Sequence, residues 1–148
     1  MAAGSFVVYD VFIDQLGKEG HNLSSDALKV GLITSSYTPS TSHTAYATTV
    51  DAYEISSTDT GYTAGGATLG TVTWSGGVLN AANTQWTAGS AGIPATKYAV
   101  IYNSSLGAAN NLIAYVELEV GGTVSVTSGN TLTIDYHDTN GIVKLAAA

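Results

Sequence analysis

Alternating apolar and polar residues recur in short runs along this chain and predict a protein built of many short β-strands. In the clearest run, Leu28, Val30 and Leu32 alternate with other residues, and Ile33 indicates that the second face is also partly covered. Side chains two apart on a strand share a face, so this period predicts a strand. Seven more strands are predicted at residues 68–74, 77–82, 98–103, 112–120, 123–126, 132–136 and 142–145.

Turn sequences separate these runs. Asn140-Gly141 and Gly121-Gly122 supply the positive φ angles of tight hairpins, and the polar residues 22–26 predict another turn. About eight short strands at this spacing are typical of antiparallel all-β folds. We therefore predict a mainly β protein with one domain, residues 1–148. The expected fold is an antiparallel β-sandwich of jelly-roll or immunoglobulin-like type, with a small barrel as the alternative.

The first twenty residues have a mixed pattern and are predicted as an N-terminal arm or helix. One helical face would carry Phe6, Tyr9, Phe12 or Ile13, and Leu16. The β-branched residues favour a strand instead: Val7, Val8 and Val11. Gly17 suits the position after a helix, and we predict a short helix over this stretch.

A glycine-rich segment, residues 61–69, directly precedes the predicted strand 68–74. Gly61, Gly65 and Gly66 could suggest a phosphate-binding loop. Such a loop lies between a strand and a helix N-terminus and usually contains a lysine. Here β-forming residues follow and no lysine is present in the segment. We therefore interpret the three glycines as a structural turn.

Charge and composition restrict the partners. The 148 residues contain 11 acidic residues, four lysines and no arginine, for a net charge of -7, and they contain no cysteine. Nucleic-acid binding needs clustered basic residues, so no nucleic-acid partner is expected. The N-terminus has no basic residue before its apolar stretch, and no apolar run approaches the roughly 18 residues of a membrane span. Neither a secretory signal nor a membrane segment is predicted.

Candidate chemistry is sparse, and the sequence predicts no enzyme, metal site or cofactor. The three histidines, His21, His43 and His137, lack the paired spacing of metal ligands. His137 and Asp138 beside Asp135 are interpreted as a polar strand end. Glu117 and Glu119 lie two apart and share one face, which is typical of the solvated side of a strand rather than of a catalytic carboxylate pair.

The aromatic residues and one long polar loop are the candidates for an interface. Trp74 closes an alternating run and is predicted to be in the core, whereas Trp86 lies in a polar stretch and is predicted to be the more exposed tryptophan. Residues 34–51 form a long Ser- and Thr-rich connection, with a helical turn expected near residues 49–53. Long loops are often functional, so we predict interface contacts at Tyr37, Pro39, Tyr46 and Trp86.

Five segments, taken in order, resemble small virion structural proteins of tailed bacteriophages. They are residues 22–33, 61–69, 97–103, 112–116 and 141–145. The resemblance implies a β-sandwich on the particle exterior, either a capsid decoration (cement) protein or a tail, neck or fibre-associated component, without catalytic residues. Members of the family often have arginine near the position of Lys97.

The same resemblance implies partners and a location. The partners would be the major capsid protein or other virion proteins, and the chain would form a homo-oligomer, a dimer or a trimer. It would be made in the host cytoplasm and end in the virion. A carbohydrate-binding β-sandwich that uses Trp86 and loop tyrosines is the alternative from a different class.

Overall fold

Antiparallel β-sheets make up most of the protein, as a computed structural model of residues 3–136 and 140–145 describes them. The prediction of a mainly β fold is confirmed. The described strands are β1 (Val7–Val8), β2 (Leu28–Ile33), β3 (Ala67–Thr68), β4 (Thr73–Ser75), β5 (Val78–Asn80), β6 (Thr84–Thr87), β7 (Ile93–Thr96), β8 (Tyr98–Asn103), β9 (Leu112–Glu117), β10 (Val124–Val126), β11 (Thr131–Ile134) and β12 (Val143–Lys144). The described helices are α1 (Asp10–Gly17) and α2 (Tyr46–Thr49), with 3-10 turns at Asp51–Tyr53 and Ser104–Leu106.

A five-stranded sheet with the order β1-β9-β8-β2-β3 organises the molecule. Its central strand, β8, is buried on both faces: Ala99 and Ile101 pack into one core cluster, and Val100 and Tyr102 pack into another. A strand covered on both faces is expected to be a nearly continuous apolar run, which is what Tyr98–Asn103 shows. The predicted bounds of this strand are therefore confirmed.

Of the three smaller sheets, one pairs β10 with β7, one pairs β11 with β6, and the third has β5 between β12 and β4. They share one core with the inner face of the five-stranded sheet. That core contains Leu28, Val30, Leu32, Ile101 and Val116 from the large sheet, and Leu79, Trp86, Ile93, Val124, Ile134 and Val143 from the small ones. The first core is therefore formed between the large sheet and the three small ones.

The predicted strand at residues 68–74 is wrong as a single element. Ala67–Thr68 pairs with β2 in the large sheet, whereas Thr73–Ser75 pairs with β5 in a small sheet. Between them Thr71 has a φ of 46°, a left-handed conformation that interrupts an extended run. The chain crosses from one sheet to another at this point.

Two strands, β6 and β7, lie where the sequence predicted no strand. In β6, Thr84 and Trp86 point inward while Gln85 and Thr87 are exposed, so Trp86 is only 5% exposed. Trp74 is half-buried, and the prediction that Trp86 is the more exposed tryptophan is wrong. Because most residues of β6 are polar, the alternation of buried and exposed side chains was not recognised in the sequence.

The strand β7 was not predicted because it contains Pro94. Proline cannot donate a hydrogen bond to a neighbouring strand, so its presence argues against a strand. In the described residues β7 pairs with β10 alone, which is the edge position where a strand tolerates proline.

The N-terminal segment combines both of its predicted tendencies. Val7–Val8 pairs with Tyr115 and Ala114 of β9, and helix α1 then begins at Asp10. The helix buries Val11 and Phe12. The predicted short helix is thus confirmed, although it starts later than the apolar stripe suggested. Among the described residues, none of the helices is long and apolar enough to cross a membrane.

Candidate functional site

The outer face of the five-stranded sheet carries a second core, and the predicted interface loop packs onto it. Tyr37 and Tyr46 are 2% and 3% exposed, and both belong to this second core with Val100 and Tyr102. Their burial corrects the prediction that these two tyrosines are available for contacts at the surface. Pro39 is half-buried in the same loop and remains a predicted contact.

One carboxylate, Glu54, holds this loop and the glycine turn (residues 61–69) together. Glu54 forms a bridge with Ile33 of β2, three residues beyond Val30, where the pairing of β2 with β3 ends. The backbone N–H of Gly65 donates to both Glu54 oxygens, at 3.1 and 2.9 Å. The hydroxyl of Tyr46 donates to Glu54 Oε1 at 2.6 Å. The turn therefore does bind an anion, and the anion is a side chain of the same chain.

Two further tyrosines complete this Glu54 cluster, which we define as Glu54, Tyr46, Tyr62 and Tyr102. The Tyr102 hydroxyl donates to the Gly65 carbonyl at 2.7 Å, and the Tyr62 hydroxyl accepts from the Leu32 N–H at 3.2 Å. The Tyr46 and Tyr102 rings stack with centroids 3.8 Å apart. Burial, with Glu54 and Asp51 nearby, raises the pKa of Tyr102 to about 12. The Tyr46 and Tyr102 hydroxyls, whose pKa values burial raises, therefore stay protonated and act as donors.

Gly66 shows why the turn requires glycine. The three predicted turn residues Gly61, Gly65 and Gly66 all have positive φ, at 79°, 85° and 76°. A Cβ on Gly66 would also overlap the Val30 carbonyl oxygen of β2. The turn therefore lies directly against the sheet edge, where both backbone angle and space exclude a side chain.

A group of partly exposed tyrosines lies on the outer face of the large sheet. We define the tyrosine patch as Tyr53, Tyr98, Tyr115 and Val7. Tyr53 is 39% exposed and Val7 is 37% exposed. Tyr98 and Tyr115 meet edge to face with centroids 6.2 Å apart, and Val7 is the cross-strand partner of Tyr115.

Buried aromatic residues support the patch. Tyr37 contacts both Tyr53 and Tyr98, at centroid distances of 5.7 and 6.1 Å, and Tyr9 contacts Tyr115 at 5.4 Å. The Tyr37 hydroxyl bonds to that of Tyr9 at 3.0 Å and to His43 Nδ1 at 2.8 Å. The patch therefore rests on a layer of buried aromatic rings that are hydrogen-bonded to one another.

An ion pair borders the patch. Lys97 Nζ lies 3.1 Å from Glu117 Oε1 and 5.8 Å from the centroid of the Tyr98 ring. This pair lowers the pKa of Glu117, with the hydrogen bond from Lys97 as the main cause. The position of Lys97 shows that a cation fits over the face of Tyr98.

The described residues offer little that could hold a metal. Within residues 3–136 and 140–145, no three His, Asp or Glu side chains lie together as a metal-binding group. His137 and Asp138 lie outside the described residues, so the predicted polar strand end there stays a prediction. In the comparisons with known proteins, no family model, curated protein or solved structure matched the chain.

Sequence reasoning missed Glu54, which is the centre of the cluster. The available signal was an acidic residue directly between two large apolar side chains, Tyr53 and Ile55. Its partner Gly65 is eleven residues away, and the two meet because both lie along the same edge of β2.

Proposed function

We propose that this protein is a non-enzymatic structural protein of a tailed-bacteriophage virion that binds the outside of the capsid and stabilises it. The order of the five phage-like segments supports the proposal. The observation that carries it is the tyrosine patch, a group of partly exposed rings on a sheet that has a core on each face.

The finer fold in this proposal is a single antiparallel β-sandwich. It is supported by the shared core, in which one face of the five-stranded sheet packs with residues of all three smaller sheets. A sandwich of this kind gives a decoration protein a stiff platform. Binding only to the assembled lattice then stabilises that lattice by mass action.

The proposed partner of the tyrosine patch is a capsid surface that presents lysine or arginine. The chain carries a net charge of -7 and no arginine, so a basic surface complements it. Tyrosine rings accept cations on their faces, and Lys97 already occupies such a position over Tyr98. A dimer or trimer on a capsid symmetry axis would repeat these contacts.

Copy number in purified particles tests the proposed location. Quantitative mass spectrometry of virions from the phage that encodes this chain should find it in many copies, in a fixed ratio to the major capsid protein. A handful of copies would instead identify a tail, neck or fibre-associated component. Absence from the particles would end both versions of the proposal.

A patch variant tests the proposed contact. Tyr53→Ala removes an exposed ring and should weaken binding to capsids that lack the protein by about tenfold. Leu145→Ala is the matched control because Leu145 is 41% exposed, follows β12 and lies outside the patch. Equal binding of both variants would argue against the tyrosine patch as the docking surface.

Heat release of DNA tests the stabilising role. Particles without the protein should lose DNA at a lower temperature than complete particles, and adding the purified protein back should restore the difference. Unchanged release would exclude a cement function. Glycan binding that depends on the patch tyrosines would favour the carbohydrate-binding alternative. Trp86 cannot contact a sugar in this fold, because its ring is buried in the core.

A further inference from the structure

A buried histidine joins the N-terminal helix to the end of the central strand. His21 is 7% exposed, and its ring contacts Phe12 of α1 with centroids 5.0 Å apart. His21 Nδ1 lies 3.1 Å from the side-chain nitrogen of Asn103, the last residue of β8. The proposed virion function assigns no role to this residue.

The orientation of the Asn103 side-chain amide determines which nitrogen of the His21 ring carries the proton. Asn103 Oδ1 accepts from the backbone N–H of Ser105 at 2.9 Å, so its nitrogen must face the other way. That nitrogen donates one hydrogen to Asp26 Oδ2 at 2.6 Å and the other to His21 Nδ1. Because Nδ1 accepts a hydrogen bond, it carries no proton, and the neutral ring holds its proton on Nε2.

Protonation of His21 is incompatible with this arrangement. A proton on Nδ1 would face the donor hydrogens of Asn103. The other ring nitrogen, Nε2, is buried and has no hydrogen-bond partner among the described residues. A charged ring would therefore lose its one bond and remain poorly solvated, which carries a large free-energy cost.

We propose that His21, Asn103 and Asp26 form an acid-sensitive clasp that fastens α1 and the turn at residues 22–26 to the end of β8. At neutral pH the neutral ring accepts from Asn103 and the clasp is closed. In acid, protonation of His21 breaks that bond and loosens the helix and the turn, while β8 itself stays folded. This inference goes beyond the proposed function and does not depend on it.

The charged and uncharged groups around the His21 ring agree with a loss of stability in acid. From α1 the ring meets the uncharged Phe12, from β8 the uncharged Asn103, and from the turn the carboxylate Asp26. Burial lowers the pKa of His21 and outweighs Asp26, which acts to raise it. A lowered pKa in the folded state means that the stabilisation is complete above about pH 6.5 and is lost as the pH falls through the folded-state value.

Hydrogen exchange at pH 7.5 and pH 5.0 tests the clasp. After correction for intrinsic rates, protection factors in α1 and residues 22–26 should fall at least about threefold at pH 5.0, whereas β8 should keep its protection. His21→Gln cannot titrate but can still accept from Asn103, so its protection should not change between the two pH values. His43→Gln is the matched control and should retain the acid response.

The proposal would be overturned by unchanged protection of α1 in the wild-type protein at pH 5.0, by the same acid loosening in His21→Gln, or by an equal loss of protection in β8. If the glutamine variant does not fold, an NMR titration of the wild-type protein decides the question. The assigned His21 imidazole should titrate below pH 6.5 together with chemical-shift changes in α1. Titration at or above pH 6.5 would exclude the clasp.

Discussion

Tyr46 and Tyr102 of the Glu54 cluster lie on the same face of the large sheet as the tyrosine patch, and the two groups differ in how their rings and hydroxyls are used. In the Glu54 cluster, Tyr46 and Tyr102 are buried: Tyr102 donates to the Gly65 carbonyl of the glycine turn, and Tyr46 donates to Glu54, which accepts from the N–H of the turn. In the tyrosine patch, rings such as Tyr53 are partly exposed and rest on other aromatic rings. The contrast teaches that tyrosine content alone does not identify an interface, because burial divides these residues into structural and available ones.

The largest expected effect comes from breaking the turn that the Glu54 cluster fastens. Gly66→Ala combines a positive φ with overlap on the Val30 carbonyl, so it should destabilise the fold by about 3 kcal/mol or more. Urea unfolding followed by tryptophan fluorescence measures the change.

Gly129→Ala provides the matched control for that substitution. Gly129 has a similar φ of 81°, but a Cβ there would meet nothing within 4 Å. Its cost should be limited to backbone strain, about 1 kcal/mol. Equal losses for the two variants would mean that contact between the turn and the sheet edge contributes nothing.

A smaller effect is expected from removing one hydroxyl from each group. Tyr46→Phe deletes a donor to the half-buried Glu54 and should lower the free energy of unfolding by about 1–3 kcal/mol. Tyr53→Phe, at an exposed ring, should change it by less than about 0.5 kcal/mol. The same unfolding assay compares the two variants. A larger loss of unfolding free energy for Tyr53→Phe would contradict the structural role given to the cluster tyrosines and the surface role given to the patch.

The smallest effect is expected at the ion pair beside the patch. Lys97→Gln removes the partner that lowers the pKa of Glu117, so the carboxyl should titrate closer to its ordinary range. NMR titration of Glu117 checks this shift. The stabilisation from the pair is present above the ordinary glutamate pKa and is lost as the pH falls through the lowered value. Because the pair lies at the surface, salt should weaken it, and melting temperatures should differ little.

The sequence predicted those elements of the fold that depend only on residues close together along the chain. The bounds of β8 follow from an apolar run, and the location of the turn follows from its glycines. The strand β6 was missed because its inward positions, Thr84 and Trp86, lie in a stretch of polar composition. There the pairing with β11, far along the chain, decides the structure.

The candidate site was harder to predict than the fold because its contacts are long-range. Tyr46 and Trp86 were predicted as interface contacts and are buried instead, because composition could not show which side of a sheet they face. The patch joins Val7 and Tyr115 across a strand pair more than a hundred residues apart in sequence. Such a surface exists only once the register of the sheet is set.

The position of the protein in an electron-microscopy map of the virion tests the proposed function most directly. The expected result is repeated density for this β fold on the capsid exterior, with Tyr53, Tyr98 and Tyr115 facing the shell. Density confined to the tail or neck would contradict the decoration function. Density on the capsid with these three tyrosines facing solvent would contradict the proposed docking surface.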